Sequence, residues 1–224
     1  PTYLTRYSMK QSIITTIAGR SGTGKSTSVR NLNPDTTAII STDGKPMPFR
    51  GANKFKIAEV SGEDPKAMFD VLERLKTNTK IETVVIDAFS QWSESLTFYC
   101  NRKYKGFERQ NNYNDALFMF FEKLKELEGK NVFIFAHPVI GETFEGEDTI
   151  AMKVDNKQRK GIVEERSTIL LMSRIIKEGN TVKYVFEVQA TPKSPTKAPM
   201  GMFEGEYIDN DLQIVVDKIK EYYS

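Results

Sequence analysis

Ser12-Ile13-Ile14-Thr15-Thr16-Ile17-Ala18 runs directly into Gly19-Arg20-Ser21-Gly22-Thr23-Gly24-Lys25-Ser26, and this junction decides the fold. The first seven residues are uncharged and mostly β-branched, the composition of a buried strand. The next eight fit G-x-x-x-x-G-K-[ST], a loop whose inward-pointing backbone N–H groups hold nucleotide phosphates. Its glycines let the backbone curl, and a helix predicted over Thr27–Leu32 would add its positive N-terminal end. The predicted nucleotide-binding residues are therefore Gly19, Arg20, Ser21, Gly22, Thr23, Gly24, Lys25, Ser26 and Thr27. In this arrangement Lys25 reaches the β- and γ-phosphates, the Ser26 hydroxyl ligates Mg²⁺, and Thr27 supports the first turn. ATP and Mg²⁺ are the expected ligands.

Downstream, Thr37–Ser41 reads as a second strand ending at Thr42-Asp43-Gly44, and a loop punctuated by Pro46 and Pro48 follows. Asp64-Pro65 opens a helix whose Met68, Val71, Leu72 and Leu75 make one apolar face. Thr83-Val84-Val85-Ile86-Asp87 is a continuous apolar run closed by a carboxylate, the form of a central parallel strand. Asp87 is thus the candidate Walker B residue, holding Mg²⁺ through water beside Ser26; an ordinary strand-end aspartate is the alternative. Position 88 is alanine, not the glutamate that activates water in many phosphate-loop ATPases, so a base must come from elsewhere.

Leu117, Phe120, Phe121, Leu124 and Leu127 mark another helix, and Val132–Ala136 a further buried strand. Residues 139–165 show little periodicity. Thr168–Met172 and Val182–Val188 read as the last strands, joined across Glu178-Gly179-Asn180, and a Lys/Pro-rich tail leads to a closing helix over Leu212–Tyr222.

Composition limits the alternatives. At 224 residues and 39% apolar content the chain can bury one core, so one α/β domain over 1–224 is expected, with 1–11 as an arm and 189–224 as the tail and closing helix. The sequence pI of about 8.6 lies below the value of about 9 that marks a strong nucleic-acid footprint, so any such surface must be local. Cys100 is the only cysteine, which excludes an internal disulfide and a thiolate zinc site and suits a cytoplasmic protein. No apolar run approaches the ~20 residues of a membrane span, and no membrane partner is expected.

The phosphate loop, Ile40-Ser41-Thr42-Asp43-Gly44, Val85-Ile86-Asp87-Ala88-Phe89-Ser90 and Ala136-His137-Pro138, in this order, resemble the RecA-type ATPase core. The resemblance implies an α/β fold with a mainly parallel central sheet, helices on both faces and a C-terminal antiparallel edge. It implies catalytic roles for Lys25, Asp43, His137 and Lys197. Asp43 matches the carboxylate that polarises the attacking water, although the family normally has the longer glutamate there; capping of the Asp-Gly turn is the alternative. His137, the single histidine, matches a polar residue that senses the γ-phosphate, against a purely structural role. Lys197, within Ala190–Pro199, matches a lysine that reaches the nucleotide of a neighbouring subunit, against an ordinary surface loop.

The same resemblance implies that the segments after the Asp87 and Ala136 strands line single-stranded DNA. Phe98–Arg109 interleaves cations with aromatics, a pattern suited to phosphate neutralisation and base stacking, or to a solvated helix face with its rings packed inward. The DNA candidates are Arg102, Lys103, Tyr104, Lys105 and Arg109, joined by Lys157, Arg159 and Lys160 in the later segment.

Within the RecA group the compact length and Lys/Pro tail look most like small phage-encoded nucleotide-binding or single-strand-annealing recombination proteins. That likeness implies a homo-oligomeric ring or filament, the host cytoplasm, and a phage single-strand-binding protein as a further partner. The leading expectation is a Mg²⁺-dependent ATPase that binds single-stranded DNA in phage recombination or replication. A nucleotide-gated switch with little turnover and a nucleoside or nucleotide kinase are the alternatives. Nothing reads as an arginine-rich kinase lid, and no N-K-x-D guanine motif follows Asp87.

Overall fold

The computed structural model describes residues 11–61, 63–142, 148–154, 161–191 and 194–224. Its strands are β1 (Ile13–Ala18), β2 (Thr37–Ser41), β3 (Lys56–Glu59), β4 (Thr83–Asp87), β5 (Asn131–Ala136), β6 (Pro138–Glu142), β7 (Asp148–Met152), β8 (Ile169–Glu178), β9 (Thr181–Glu187) and β10 (Tyr207–Asp209). The α-helices are α1 (Pro65–Thr77), α2 (Phe89–Lys103), α3 (Phe107–Lys125), α4 (Ile162–Arg166) and α5 (Leu212–Tyr223). Eight strands form one sheet in the order β10-β9-β8-β1-β5-β4-β2-β3, while β6 and β7 make a separate hairpin.

From β8 to β3 every pairing is parallel, with β1 between β5 and β8; β9 and β10 add the antiparallel edge. This is the α/β phosphate-loop architecture that the sequence predicts. Uninterrupted apolar strands follow from burial on both faces. Ile14, Ile40, Val84, Ile86, Val132 and Ile134 face a core shared with α1, α2 and α3. There Trp92 stacks on Phe120 with centroids 4.7 Å apart. Ile13, Ile17, Ile39, Val85, Phe133 and Phe135 pack on the opposite face against Val29 and Leu32 and against Leu212, Val215, Val216 and Ile219 of α5.

Several local expectations change. The segment after the phosphate loop is a 3-10 helix, Ser26–Asn31, not an α-helix. Ser28 Oγ donates to the Lys25 carbonyl at 2.5 Å, and a hydroxyl-rich run that bonds its own backbone favours the tighter turn. The proline-punctuated loop contains β3, which pairs parallel with β2 although its side chains are mostly exposed. An exposed edge strand lacks the apolar run that marks a buried one. Residues 139–165 hold β7 and most of β6 and α4. The aromatic and cationic stretch 98–109 is helical except for Tyr104, Lys105 and Gly106, which join α2 to α3.

Candidate nucleotide-binding site

Gly19 N–H donates to the Ala136 carbonyl at 3.2 Å, so the loop leaves β1 level with the end of β5. It borders a cleft of ≈ 790 Å³ at the carboxyl ends of the parallel strands, the ordinary ligand position in an open α/β sheet. Ser21, Gly22, Gly24, Lys25, Ser26 and Thr27 line it directly. Thr23 holds the loop from within, its hydroxyl donating to the Arg20 carbonyl at 2.9 Å. Lys25 Nζ donates to the carbonyls of Gly19 at 2.6 Å and Arg20 at 3.0 Å. Burial pushes the Lys25 pKa down to about 8, against the opposing pull of Asp87.

Opposite the loop, Asp87 Oδ2 accepts a 2.5 Å hydrogen bond from Ser26 Oγ. Burial raises the Asp87 pKa above the usual carboxylate range; the Ser26 bond opposes this, Asp43 adds to it, and Lys25 and Lys45 counter it. A hydroxyl and a carboxylate side by side are hard oxygen donors, the set Mg²⁺ takes when substrate phosphates and water complete its shell. These two residues therefore fit the metal. Thr42, for which the sequence suggests no role, fixes the strand end: its Oγ1 donates to the Ala88 carbonyl at 2.7 Å and accepts from Ala88 N–H at 3.0 Å. The Asp87–Ala88 peptide bond between them is cis.

Asp43 and His137 line the same cleft. Asp43 Oδ1 accepts from Lys45 N–H at 3.1 Å, and Oδ2 pairs with Lys45 Nζ at 2.9 Å. The turn-capping geometry and the cleft position thus coexist in one side chain. His137 N–H donates to Ser90 Oγ at 2.9 Å. Burial lowers the imidazole pKa, Lys25 lowers it further, and a hydrogen bond with the Gly19 backbone opposes both. The chain then turns into β6; Lys153, which directly follows β7, donates its N–H to the His137 carbonyl at 2.9 Å, and its Nζ pairs with Glu94 at 3.2 Å.

The AAA domain family model matches residues 11–200, a span that holds the loop, Asp43, Asp87 and His137. The chain belongs to the AAA domain family. Among curated proteins, none matches it. The family is that of AAA-type phosphate-loop ATPase domains, which agrees with the arrangement of Lys25, Ser26 and Asp87.

In this AAA domain the phosphate loop is braced from β8. Ser173 Oγ donates to the Thr23 carbonyl at 2.7 Å and accepts from Asn210 Nδ2 at 3.0 Å. Gly24 has φ +95°, and a Cβ there would stand 3.1 Å from Asn210 Oδ1 and 3.2 Å from Tyr184 Cδ1. A Cβ on Gly19 would meet Thr23 Oγ1 at 2.5 Å and the Ser173 carbonyl at 2.9 Å. Arg30, Lys45, Tyr184, Asp209, Asn210 and Asp211 also line the cleft, and none of them carries a motif.

The remaining candidates of this AAA domain lie elsewhere. Lys197 does not line the cleft of its own chain. Its backbone forms a two-way bridge with Leu170 at 2.8 and 2.9 Å, and burial lowers the pKa of its ammonium against the opposing pull of Glu164 and Glu165. Arg102 ends α2 and pairs with Glu63 at 3.1 Å. Lys103 lies over the rings of Tyr99 and Tyr104, 5.1 and 5.7 Å from their centroids. Lys105 is exposed in the connector, and Arg109 Nε donates to the Gly106 carbonyl at 3.3 Å. Lys157, Arg159 and Lys160 fall outside the described residues. Among the described residues no helix is long and apolar enough to cross a membrane.

Proposed function

We propose that this AAA domain is a Mg²⁺-dependent ATPase that binds single-stranded DNA, acting in phage DNA recombination or replication. The observation that carries the catalytic reading is the contact of Ser26 with Asp87 beside the buried Lys25 on the wall of one cleft. Lys25 would contact the β- and γ-phosphates, and loop N–H groups would hold the rest of the chain of phosphates. Mg²⁺, held by Ser26 and through water by Asp87, would neutralise charge on the β- and γ-oxygens. Asp43 would orient the attacking water and take its proton, and His137 would report the γ-phosphate to β6 and Lys153.

The DNA reading rests on the α2–α3 connection. Phe98 and Phe107 are exposed there beside Arg102, Lys103 and Lys105. Exposed rings next to cations supply stacking and charge without sequence preference. Lys197, acting on a neighbouring subunit's nucleotide in a ring or filament, belongs to the same proposal.

The test is the rate of phosphate release from ATP and GTP, with and without single-stranded DNA, for the wild type and His137→Gln. DNA-stimulated turnover supports the proposal, and loss of the stimulation in the variant supports the sensor role. Turnover indifferent to DNA removes the coupling. A second reading, a nucleotide-gated switch with little turnover, is favoured by the Asp43–Lys45 ion pair, which occupies the candidate base. Stable retention of ATP through a single-turnover experiment would select it.

A further inference from the structure

Four carboxylates line the cleft, Asp43, Asp87, Asp209 and Asp211, against three cations, Lys25, Arg30 and Lys45. A polyphosphate entering so acidic a site needs every available cation near its terminal group. Arg30 is committed to the C-terminal side, donating to the Asn210 carbonyl at 2.8 Å and lying 3.9 Å from Asp211. Lys25, which holds the Gly19 and Arg20 carbonyls, is the first lysine for the β- and γ-phosphates in the ATPase reading. Lys45 is left for the end formed by Asp43, Asp87 and His137. Its side chain is 78% exposed on a flexible stem, so leaving Asp43 is an easy motion. It lines the same cleft as Asp87 and His137, and its pairing with Asp43 holds the ammonium there.

Asp43 itself has both oxygens occupied, Oδ1 by the Lys45 N–H and Oδ2 by the Lys45 ammonium. While the ammonium stands at Oδ2, it fills the place from which a water would hand its proton to that oxygen. A γ-phosphoryl group, with its charge spread over three peripheral oxygens, offers the ammonium a more strongly charged partner at the same end of the cleft.

Resting on the ATPase reading above, we infer that Lys45 is a second phosphate-binding lysine, which leaves Asp43 for the γ-phosphoryl group when ATP binds and so frees Asp43 to act as the base. In the step that follows, the water oxygen bonds to the γ-phosphorus while the bond from that phosphorus to the bridging oxygen breaks. The bridging oxygen keeps the electron pair on ADP, the water proton passes to the freed Asp43 Oδ2, and inorganic phosphate forms. Lys45 acts within its own chain. It stabilises the charge on the transferring group and gates the base with the same movement.

The test compares Lys45→Met and Lys45→Arg with the wild type, measuring ATP and ADP affinities in Mg²⁺ by calorimetry and single-turnover hydrolysis by quench. The substitutions are at an exposed position, and circular dichroism checks that the fold is kept. Lys45→Met is expected to bind ADP within about twofold of the wild type, to bind ATP roughly tenfold more weakly, and to hydrolyse it about 10²–10³-fold more slowly; Lys45→Arg should recover part of both losses. A Lys45→Met protein with the wild-type ratio of ATP to ADP affinity overturns the phosphate contact. One that loses ATP affinity yet hydrolyses bound ATP at the wild-type rate overturns the gating of Asp43. Wild-type protein that binds neither nucleotide overturns the ATPase reading beneath, which the variants alone cannot do.

Discussion

Ser26 and Asp87 stand 61 positions apart in the chain and meet through a 2.5 Å hydrogen bond from the hydroxyl to Oδ2. The parallel pairings β4–β5 and β5–β1 create this meeting by bringing the ends of β4 and β1 to one edge of the sheet. Asp87→Asn keeps the shape and removes the charge. The expected result is a higher Mg²⁺ requirement for ATP binding and a fall of roughly 10²–10³-fold in single-turnover hydrolysis. A Mg²⁺ titration of the variant that overlays the wild type would take Asp87 out of the metal site.

Gly24→Ala places a side chain where φ is +95° and where Asn210 and Tyr184 already stand within 3.1 and 3.2 Å. Backbone strain of this kind costs about 1–3 kcal/mol, and the close neighbours must shift as well. The variant should lose both stability in urea titration and ATP affinity in calorimetry. An unchanged urea midpoint would mean that the loop adopts another conformation.

Ser173→Ala removes the hydroxyl that bridges the Thr23 carbonyl to the Asn210 amide. Leaving both groups short of a partner costs about 1–3 kcal/mol. Because the lost bonds hold the phosphate loop to β8, ATP affinity should fall together with Tm. A fall in Tm with ATP affinity intact would show that Ser173 stabilises the sheet edge and leaves the loop to hold itself.

The parts legible in the sequence are those in which composition alone fixes the role. A glycine-rich turn between a β-branched strand and Lys25-Ser26 has few other uses, and an apolar strand closed by Asp87 is confined to the sheet's centre. Thr42, Ser173 and Asn210 are ordinary polar residues, and their roles arise only from strand order. Ser173 reaches Thr23 across 150 positions because β8 pairs with β1, a pairing that no local pattern encodes. In residues 98–109 the mix of charge and aromatics leaves a DNA-lining segment and a solvated helix face both open, and it is the burial of Trp92, Leu96 and Cys100 along one face that ties the first part to α2. The role of Lys197 comes from the resemblance alone, and its backbone pairing with Leu170 is a long-range contact that no local pattern encodes.

The α2–α3 connection supports a prediction about salt. If Arg102, Lys103 and Lys105 meet phosphates, binding of a labelled oligo-dT should weaken with ionic strength, the logarithmic slope shrinking by about 0.7 for each cation removed. Lys103 also sits over Tyr99 and Tyr104, so Lys103→Ala should cost stacking order in addition to charge. Fluorescence anisotropy at several salt concentrations separates the two effects. Failure to bind at low salt would remove this surface from any role with single strands.

Lys25 provides a prediction with opposite signs in two measurements. Its pKa falls from 10.5 in the unfolded chain to about 8 in the folded protein because burial disfavours the charged form. Between these values the unfolded chain binds more protons than the native one, so this group's contribution to stability rises as pH increases through the window. Phosphate oxygens at Lys25 restore the preference for charge. Binding must then take up protons, and the lysine's contribution to ATP affinity is complete below pH 8 and declines above it. Calorimetry at pH 8.5 in buffers of differing ionisation enthalpy should show an uptake of up to about one proton per ATP, and Lys25→Met should abolish it. Urea titrations of the free protein should meanwhile show the Lys25 contribution, taken against Lys25→Met, growing over the same range. Zero proton uptake by a wild type that binds ATP would mean that Lys25 does not face the phosphates.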